Sequence, residues 1–318
     1  MTPRPSIDFS AIRVLDGGLA TELARRGCDI TGPLWSAHGL DRSPAALTAV
    51  HLDYLRAGAD CIATASYQIS AMGYSDLGLN APDAATAAER ALLQSVTIAE
   101  EARAQYAREN PRRVWIAASL GPYGAALHNG AEYHGRYDID EDALAAFHAE
   151  RLKVMAETSA DLIAFETVPS LPEAKAMVRA LAQFPQIAAW ISFTCRDAVH
   201  VAHGELMQAC AEMLSEVPQI VAIGINCTAP HLILPLLAAA QRGAHGQTPV
   251  IVYPNSGEVW DAATRSWHGE NNTLGFGTMA RSWFAAGAQA VGGCCRTGPD
   301  HIAAVAEAAR SAISAAVS

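Results

Sequence analysis

The chain has 318 residues, of which 51% are hydrophobic and 17% charged, and this composition predicts a globular protein with a large buried core. The net charge of −10 argues against a nucleic-acid partner, because no basic surface is available to neutralise phosphates. The longest aliphatic stretch, near Leu232, is too short to span a bilayer, and no secretory signal is evident. We therefore expect a cytoplasmic protein without a membrane partner, in which the seven cysteines stay reduced.

Short apolar runs alternate with longer alanine-rich segments along the chain. We predict eight strands, which begin near Ile12, Asp60, Val114, Asp161, Ala188, Val221, Pro249 and Ala290. Runs that are apolar on both faces, such as Val250 to Tyr253, are typical of parallel strands covered on both sides. Helices are predicted between the strands, for example over residues 82–107, 141–159, 171–183 and 204–217.

This alternation predicts an α/β protein, namely a (β/α)8 TIM barrel, with a doubly wound open sheet as the alternative. No proline-rich linker or charge block divides the chain, so we expect residues 1–318 to form a single domain. Active sites of this barrel lie at the carboxyl ends of the strands and in the loops that follow them. The segments at about 121–137 and 254–275 contain several aromatic residues and are long enough to cover that end.

Three cysteines stand at the ends of two apolar runs that are far apart in sequence. Cys227 ends the run from Val221, and Cys294 and Cys295 follow the run from Ala290. Three protein ligands with one open position are the arrangement of catalytic zinc, and sulfur ligands select zinc or copper(I). Three thiolates make zinc a weak Lewis acid that can still lower the pKa of an incoming thiol. Alkyl transfer to sulfur is the reaction that such a site suits.

Other interpretations of the cysteines stay open at this point. The adjacent pair Cys294–Cys295 is also compatible with a thiol redox protein or sensor, and an isolated cysteine can be a small buried side chain. We expect simple burial for Cys28, Cys61, Cys195 and Cys210. Within a regular strand, neighbouring side chains point to opposite faces, so the preceding Gly292 and Gly293 are expected to let the backbone leave the strand conformation.

Three short motifs occur in a recognisable order along the chain. They are Asp16-Gly17-Gly18, Asn226-Cys227 and the Gly-Gly-Cys-Cys-Arg-Thr run at residues 292–297. In this order they resemble the homocysteine S-methyltransferase family over nearly the whole chain. The stretches 64–68 and 253–258 are similar to the branch that uses S-methylmethionine or S-adenosylmethionine rather than betaine. The resemblance implies a homocysteine-binding barrel that transfers a methyl group from a sulfonium donor to L-homocysteine, giving methionine.

The same resemblance implies a zinc site and a homocysteine site. Cys227, Cys294 and Cys295 match the family's Zn²⁺ ligands, with the homocysteine sulfur at the fourth position. Asp16 and Glu166 match carboxylates that face the homocysteine ammonium group. The remaining substrate-binding residues implied are Gly17, Thr64 and Asn226, of which the Gly17 amide and the Thr64 hydroxyl are expected to contact the homocysteine carboxylate.

The donor side is predicted from the chemistry of cations. Because aromatic faces stabilise cations, the donor-side candidates are Trp35, Tyr67 and Tyr123, together with the neighbouring Gln68. S-methylmethionine is favoured over S-adenosylmethionine because no glycine-rich nucleotide motif is evident. Selenocysteine or another thiol stays open as the methyl acceptor. Three sulfurs already serve the metal, so the histidines are expected to be ordinary surface or core residues.

Overall fold

The computed structural model describes residues 7–30, 38–261, 266–268 and 272–317. In these residues a parallel sheet forms the centre of the fold. Its seven described strands are, in order across the sheet, β1 (Cys61–Ala63), β2 (Trp115–Leu120), β3 (Leu162–Val168), β4 (Ala189–Phe193), β5 (Ile220–Asn226), β6 (Val250–Tyr253) and β9 (Ala290–Val291). An antiparallel hairpin that the sequence patterns did not predict, β7 (Val259–Asp261) and β8 (Ser266–His268), follows β6.

The residues before β1 close this sheet into a barrel. Val14 forms a parallel bridge with Val291 of β9, and Leu15 forms one with Cys61 of β1, so both edges of the sheet pair with the same short segment. The first predicted strand, near Ile12, is therefore present only as these bridging residues. The other predicted strands are found, and the predicted (β/α)8 barrel is confirmed.

Helices follow the strands around the outside of the barrel. Those that alternate with the strands in the described chain are α3 (Pro44–Ala57), α5 (Ala81–Glu109), α7 (Glu141–Met155), α8 (Leu171–Leu181), α9 (Met207–Ser215), α10 (Ile233–Gly243), α11 (Thr273–Ala285) and α12 (Pro299–Val317). The shorter ones are α1 (Leu19–Arg25), α2 (His38–Arg42), α4 (Ala71–Asp76) and α6 (Tyr123–Ala126). Among the described residues, no helix has both the length and the apolar character needed to cross a membrane. That residues 1–318 form one domain stays a prediction.

Polar side chains fix where the long helices begin. The side chains of Asn80, Asp140 and Ser170 accept the N–H of a residue in the first turn of α5, α7 and α8, respectively. Such caps satisfy backbone donors that have no partner inside the helix. The four helices predicted from the sequence correspond to α5, α7, α8 and α9, with ends that differ by up to about a turn.

Strand alternation divides the core into a barrel interior and a shell beneath the helices. In β2, Trp115 and Ala117 belong to the interior cluster, whereas Ile116 and Ala118 pack in the shell. The interior cluster also contains Leu162, Ala164, Trp190, Ala222, Ile251 and Tyr253. Side chains thus fill the barrel, as expected for this fold.

We expect Asp60→Ala to lower the free energy of unfolding by about 2 kcal/mol, because buried backbone donors lose their acceptor. The Asp60 Oδ2 atom accepts the backbone N–H groups of Arg13 and Val14 at 3.0 and 2.9 Å and thereby holds the closing segment. Urea unfolding followed by circular dichroism measures the change. The control is Asp142→Asn, whose exposed carboxylate pairs with Arg179 and should contribute less than about 0.5 kcal/mol. Equal effects of the two substitutions would contradict a closing role for Asp60.

Candidate metal and substrate site

Three cysteine sulfurs converge at the carboxyl end of the barrel. The Sγ atoms of Cys227, Cys294 and Cys295 all lie within 4.8 Å of one another, and those of Cys227 and Cys295 are 3.6 Å apart. Tetrahedral zinc with Zn–S bonds of about 2.3 Å requires sulfur–sulfur distances of about 3.8 Å. All seven cysteines are free thiols. Both the spacing and the softness of this donor set fit a single soft metal ion.

The backbone brings these cysteines together because β6 lies between the strands that carry them. Cys227 follows β5 directly, and its N–H donates to the carbonyl of Tyr253 at the end of β6. The Cys294 N–H donates to the next carbonyl, that of Pro254, at 2.8 Å. Cys227 adopts a φ of 48°, which a non-glycine residue takes only when its surroundings impose it. The chain thus holds Cys227 in an unfavourable conformation at the site.

The cluster favours a thiolate at Cys227. Hydrogen bonds from the Cys294 and Cys295 thiols lower the pKa of Cys227 well below its usual value. The same hydrogen bonds to Cys227 raise the pKa values of Cys294 and Cys295. The Tyr133 hydroxyl lies 3.7 Å from the Cys227 sulfur, and the charge on Cys227 raises the pKa of this tyrosine, which therefore donates. The thiolate is the form of cysteine that binds metals.

The remaining cysteines lie away from this cluster, as predicted. Cys61, Cys195 and Cys210 are buried, and burial raises the pKa of each thiol, in Cys210 to about 12. Cys28 is half-buried and packs against the core. None of the four joins the described metal-compatible group of residues.

Gly292 and Gly293 serve a different purpose from the one predicted. Neither has a positive φ, so the turn does not depend on glycine's conformational freedom. A Cβ atom on Gly293 would instead lie 2.2 Å from the Thr297 hydroxyl, and one on Gly292 would lie 2.6 Å from the Leu15 Cβ. Close packing against Leu15 and Thr297 therefore requires these glycines, and the left-handed turn falls at Arg296, with a φ of 66°.

A cavity of about 680 Å³ opens beside the sulfurs, and two predicted carboxylates line it. Asp16 accepts the backbone N–H of Ala63 at 2.8 Å, and burial raises its pKa well above the usual value. Glu166 accepts the Ser119 hydroxyl, and burial raises the pKa of Glu166 to about 7. Repulsion from Glu166 further raises the pKa of Asp16. A cation between the two carboxylates would relieve both the repulsion and the desolvation.

The other predicted substrate residues also reach this cavity. Gly17, Thr64 and Asn226 line it. The Thr64 hydroxyl already accepts the N–H of Ser119 at 3.0 Å, and it lies within hydrogen-bonding distance of Ser66. The Asn226 amide bonds to the backbone and hydroxyl of Thr167, and its Nδ2 lies 4.0 Å from the Cys294 sulfur. Thr64 and Asn226 therefore brace the strand ends, whatever they bind.

The structure brings together only part of the predicted donor side. Tyr67 and Gln68 line the cavity, and burial raises the pKa of Tyr67 well above its usual value. Tyr123 is not among the residues that line it, because its ring packs edge-on against Tyr137 and Phe147 behind the loop. Trp35 lies outside the described residues.

The loop between β2 and α7 adds cavity residues that the sequence patterns did not identify. His128, Glu132 and Tyr133 line the cavity beside the sulfur cluster. The half-buried His128 lines this space, and the expectation that the histidines are ordinary surface or core residues stays a prediction. A sequence signal existed: the aromatic-rich segment 121–137 was expected to cover the barrel mouth. The pattern carried no information on which of its side chains turn inward.

A buried network anchors this loop to α7 and α8. Glu173 accepts the N–H of Tyr123 at 2.5 Å and also accepts the Tyr137 hydroxyl, so it holds both ends of the segment. His148 lies 3.0 Å from the same carboxyl group, and Arg151 reaches both His148 and the Gly121 carbonyl at 2.8 Å. Burial raises the pKa of Glu173 to about 8. The network fixes the loop that covers the cysteines.

The amino-acid sequence is similar to those of known homocysteine S-methyltransferases over nearly its whole length. Residues 13–309 match the family model of homocysteine S-methyltransferase. The homocysteine S-methyltransferase YbgG of Bacillus subtilis is 45% identical over 310 residues, which cover 96% of each chain. The homocysteine S-methyltransferase of Escherichia coli is 43% identical over 309 residues, or 95% of this chain and 96% of that protein.

A solved structure shows the same fold. The metallated form of the homocysteine methyltransferase MmuM from Escherichia coli matches with a TM-score of 0.81 and 40% identity. The match covers 93% of this chain and 96% of that one. The family-model match over residues 13–309 includes the barrel strands and all three clustered cysteines.

We expect Glu173→Ala to destabilise the protein by about 3 kcal/mol, because it leaves several buried partners without an acceptor. The loop should then open more often, and trypsin should cleave faster after the exposed Arg136. Thermal unfolding and limited proteolysis measure the two effects. The control is Lys175→Ala, which removes an exposed side chain from the same helix. Cleavage at Arg136 that matches the control would contradict an anchoring role for Glu173.

Proposed function

Because the chain belongs to the homocysteine S-methyltransferase family, we propose that it is a zinc-dependent enzyme that methylates L-homocysteine with S-methylmethionine as donor. The observation that carries this proposal is the convergence of three cysteine sulfurs within 4.8 Å at the mouth of the barrel. Three sulfur ligands suit zinc and leave one coordination position for a substrate. When bound there, zinc would lower the pKa of the homocysteine thiol and keep the thiolate nucleophilic.

The protein's own residues would bind and align homocysteine. We assign Cys227, Cys294 and Cys295 as the zinc ligands. Asp16 and Glu166 would hold the homocysteine ammonium group, since both carboxylates border the cavity and repel each other. Gly17, Thr64 and Asn226 would shape the remaining wall beside the amino acid.

The methyl transfer requires little acid–base catalysis. The methyl carbon forms a bond to the homocysteine sulfur while its bond to the sulfonium sulfur breaks, and the electron pair of that bond leaves with a neutral thioether. The thiol proton is released to solvent. With S-methylmethionine as donor, both products are methionine. Catalysis would then depend on thiolate formation and on alignment of the reactants.

The charge of the cavity supports a cationic donor. Asp16, Glu132, Glu166 and Glu258 line it, and no lysine or arginine of the described residues does so. A sulfonium ion would therefore enter a region of negative potential, within a chain of net charge −10. Tyr67 and Gln68 remain the proposed donor-side contacts.

We expect Cys294→Ala to lose its metal and to methylate homocysteine more than about 100-fold more slowly than the wild type. The wild-type protein, purified with a reductant, should contain about one zinc per chain by elemental analysis. Cys28→Ala is the control, because this thiol lies away from the cluster. A Cys294→Ala variant with full activity and no metal would refute the zinc proposal. Reversible oxidation of the Cys294–Cys295 pair during turnover would favour the redox alternative instead.

The donor assignment has its own test. We expect kcat/KM for S-methylmethionine to exceed that for S-adenosylmethionine by at least about tenfold, because the sequence offers no glycine-rich nucleotide motif. Steady-state rates at matched homocysteine concentrations measure the ratio. A higher kcat/KM for S-adenosylmethionine would overturn the donor assignment and leave the methyl transfer itself intact.

A further inference from the structure

The carboxylates that line the cavity differ in whether their oxygens accept hydrogen bonds from other residues. Asp16 accepts a backbone N–H, and Glu166 accepts the Ser119 hydroxyl. Glu258 pairs with the Arg296 guanidinium at 3.0 Å. Each of these three therefore has a donor supplied by another residue. Glu132 differs from them.

Glu132 is half-buried, and its Oε2 atom is enclosed without a hydrogen-bond partner among the described residues. No side chain of the described chain donates to either oxygen, and the backbone donor that stabilises its charged form is its own N–H. Burial accordingly raises the pKa of Glu132 to about 7. Leaving a buried acceptor without a donor costs stability, so a ligand that donates hydrogen bonds would be bound favourably here.

The position of Glu132 relates it to the donor. It precedes Tyr133, whose hydroxyl contacts the Cys227 sulfur, in the 3₁₀ turn Ala131–Tyr133 that covers the cluster. Glu132, Tyr67 and the three clustered cysteines all line the same cavity. Glu132 therefore borders the space that lies between the sulfur cluster and a donor-side aromatic ring. By contrast, Asp16 follows the barrel-closing segment and Glu166 lies in β3. Hydrogen-bonded pairing through β1 and β2 connects these two positions across the sheet.

The two cationic groups of a sulfonium amino acid, its sulfonium centre and its α-ammonium group, bind to different kinds of partner. A sulfonium centre has no N–H group and is stabilised by aromatic faces such as that of Tyr67. An ammonium group has three N–H donors and matches a carboxylate whose acceptors are unmet. We propose that Glu132 binds the α-ammonium group of the methyl donor, and so selects sulfonium donors that are amino acids. This inference rests on the proposed function.

The test compares S-methylmethionine with its desamino analogue, which keeps the sulfonium and carboxylate groups. We expect Glu132→Gln to lower kcat/KM for S-methylmethionine by about 10- to 100-fold, mostly through KM, since one hydrogen-bonded charge pair is lost. The same variant should change kcat/KM for the desamino analogue by less than about threefold. Equilibrium dialysis of S-methylmethionine in the absence of homocysteine should show a matching loss of donor affinity.

The control substitution is Asp138→Asn, which removes the same charge from an exposed position of the same loop. It should leave both donors unaffected, and calorimetry should give the same homocysteine affinity for wild type and Glu132→Gln. Equal losses with both donors, or weaker homocysteine binding, would overturn the ammonium assignment. A wild-type protein that forms no methionine from either donor would refute the proposed function, whereas an active Glu132→Gln variant with unchanged selectivity would refute only the assignment of Glu132.

Discussion

The site depends on the parallel pairing of β5, β6 and β9. Cys227 and Cys294 are distant in sequence, yet their backbone N–H groups donate to two neighbouring carbonyls, those of Tyr253, the last residue of β6, and of Pro254, which follows it. Parallel pairing places the carboxyl ends of all three strands at one edge, and barrel closure prevents them from spreading apart. The sulfur cluster is therefore a product of sheet register. A shift of register would separate the thiols without altering any of them.

Much of this arrangement was predictable from local patterns. Continuous apolar runs identify parallel strands because both of their faces are buried, and the fold then assigns function to the strand ends. The closing segment was harder to predict, because Val14 and Leu15 form only single bridges with β9 and β1 and their apolar neighbours resemble an ordinary strand. The roles of Gly292 and Gly293 were misjudged for a related reason. Close packing against Leu15 and Thr297 is a tertiary contact that has no local signature.

Local sequence patterns also fail to predict the side-chain directions in the loop between β2 and α7, which lines the site. Its aromatic content indicated a cover for the barrel, but its conformation depends on Glu173, a residue of a later helix. That dependence explains why Tyr123, which is a suitable cation partner by residue type, packs behind the loop instead. It also explains why Glu132 and Tyr133, which carried no motif, face the cavity. Side-chain direction in an irregular segment is decided by its anchors, and these anchors are not adjacent in sequence.

The carboxylates of the cavity come from two kinds of backbone, the barrel strands and the loop between β2 and α7. The strand ends supply Asp16 and Glu166, which rigid backbone and hydrogen bonds hold in place. The loop supplies Glu132 next to Tyr133, and Tyr133 donates to the same Cys227 sulfur that belongs to the metal-compatible cluster. A rigid element is suited to positioning a nucleophile, whereas a loop anchored at its two ends can adjust to a second substrate. Glu132 and Tyr133 are adjacent in one 3₁₀ turn, and the Tyr133 hydroxyl lies 3.7 Å from the Cys227 sulfur. On the proposed assignment of Glu132 to the donor, a movement of this turn on donor binding would therefore also change the contact with Cys227.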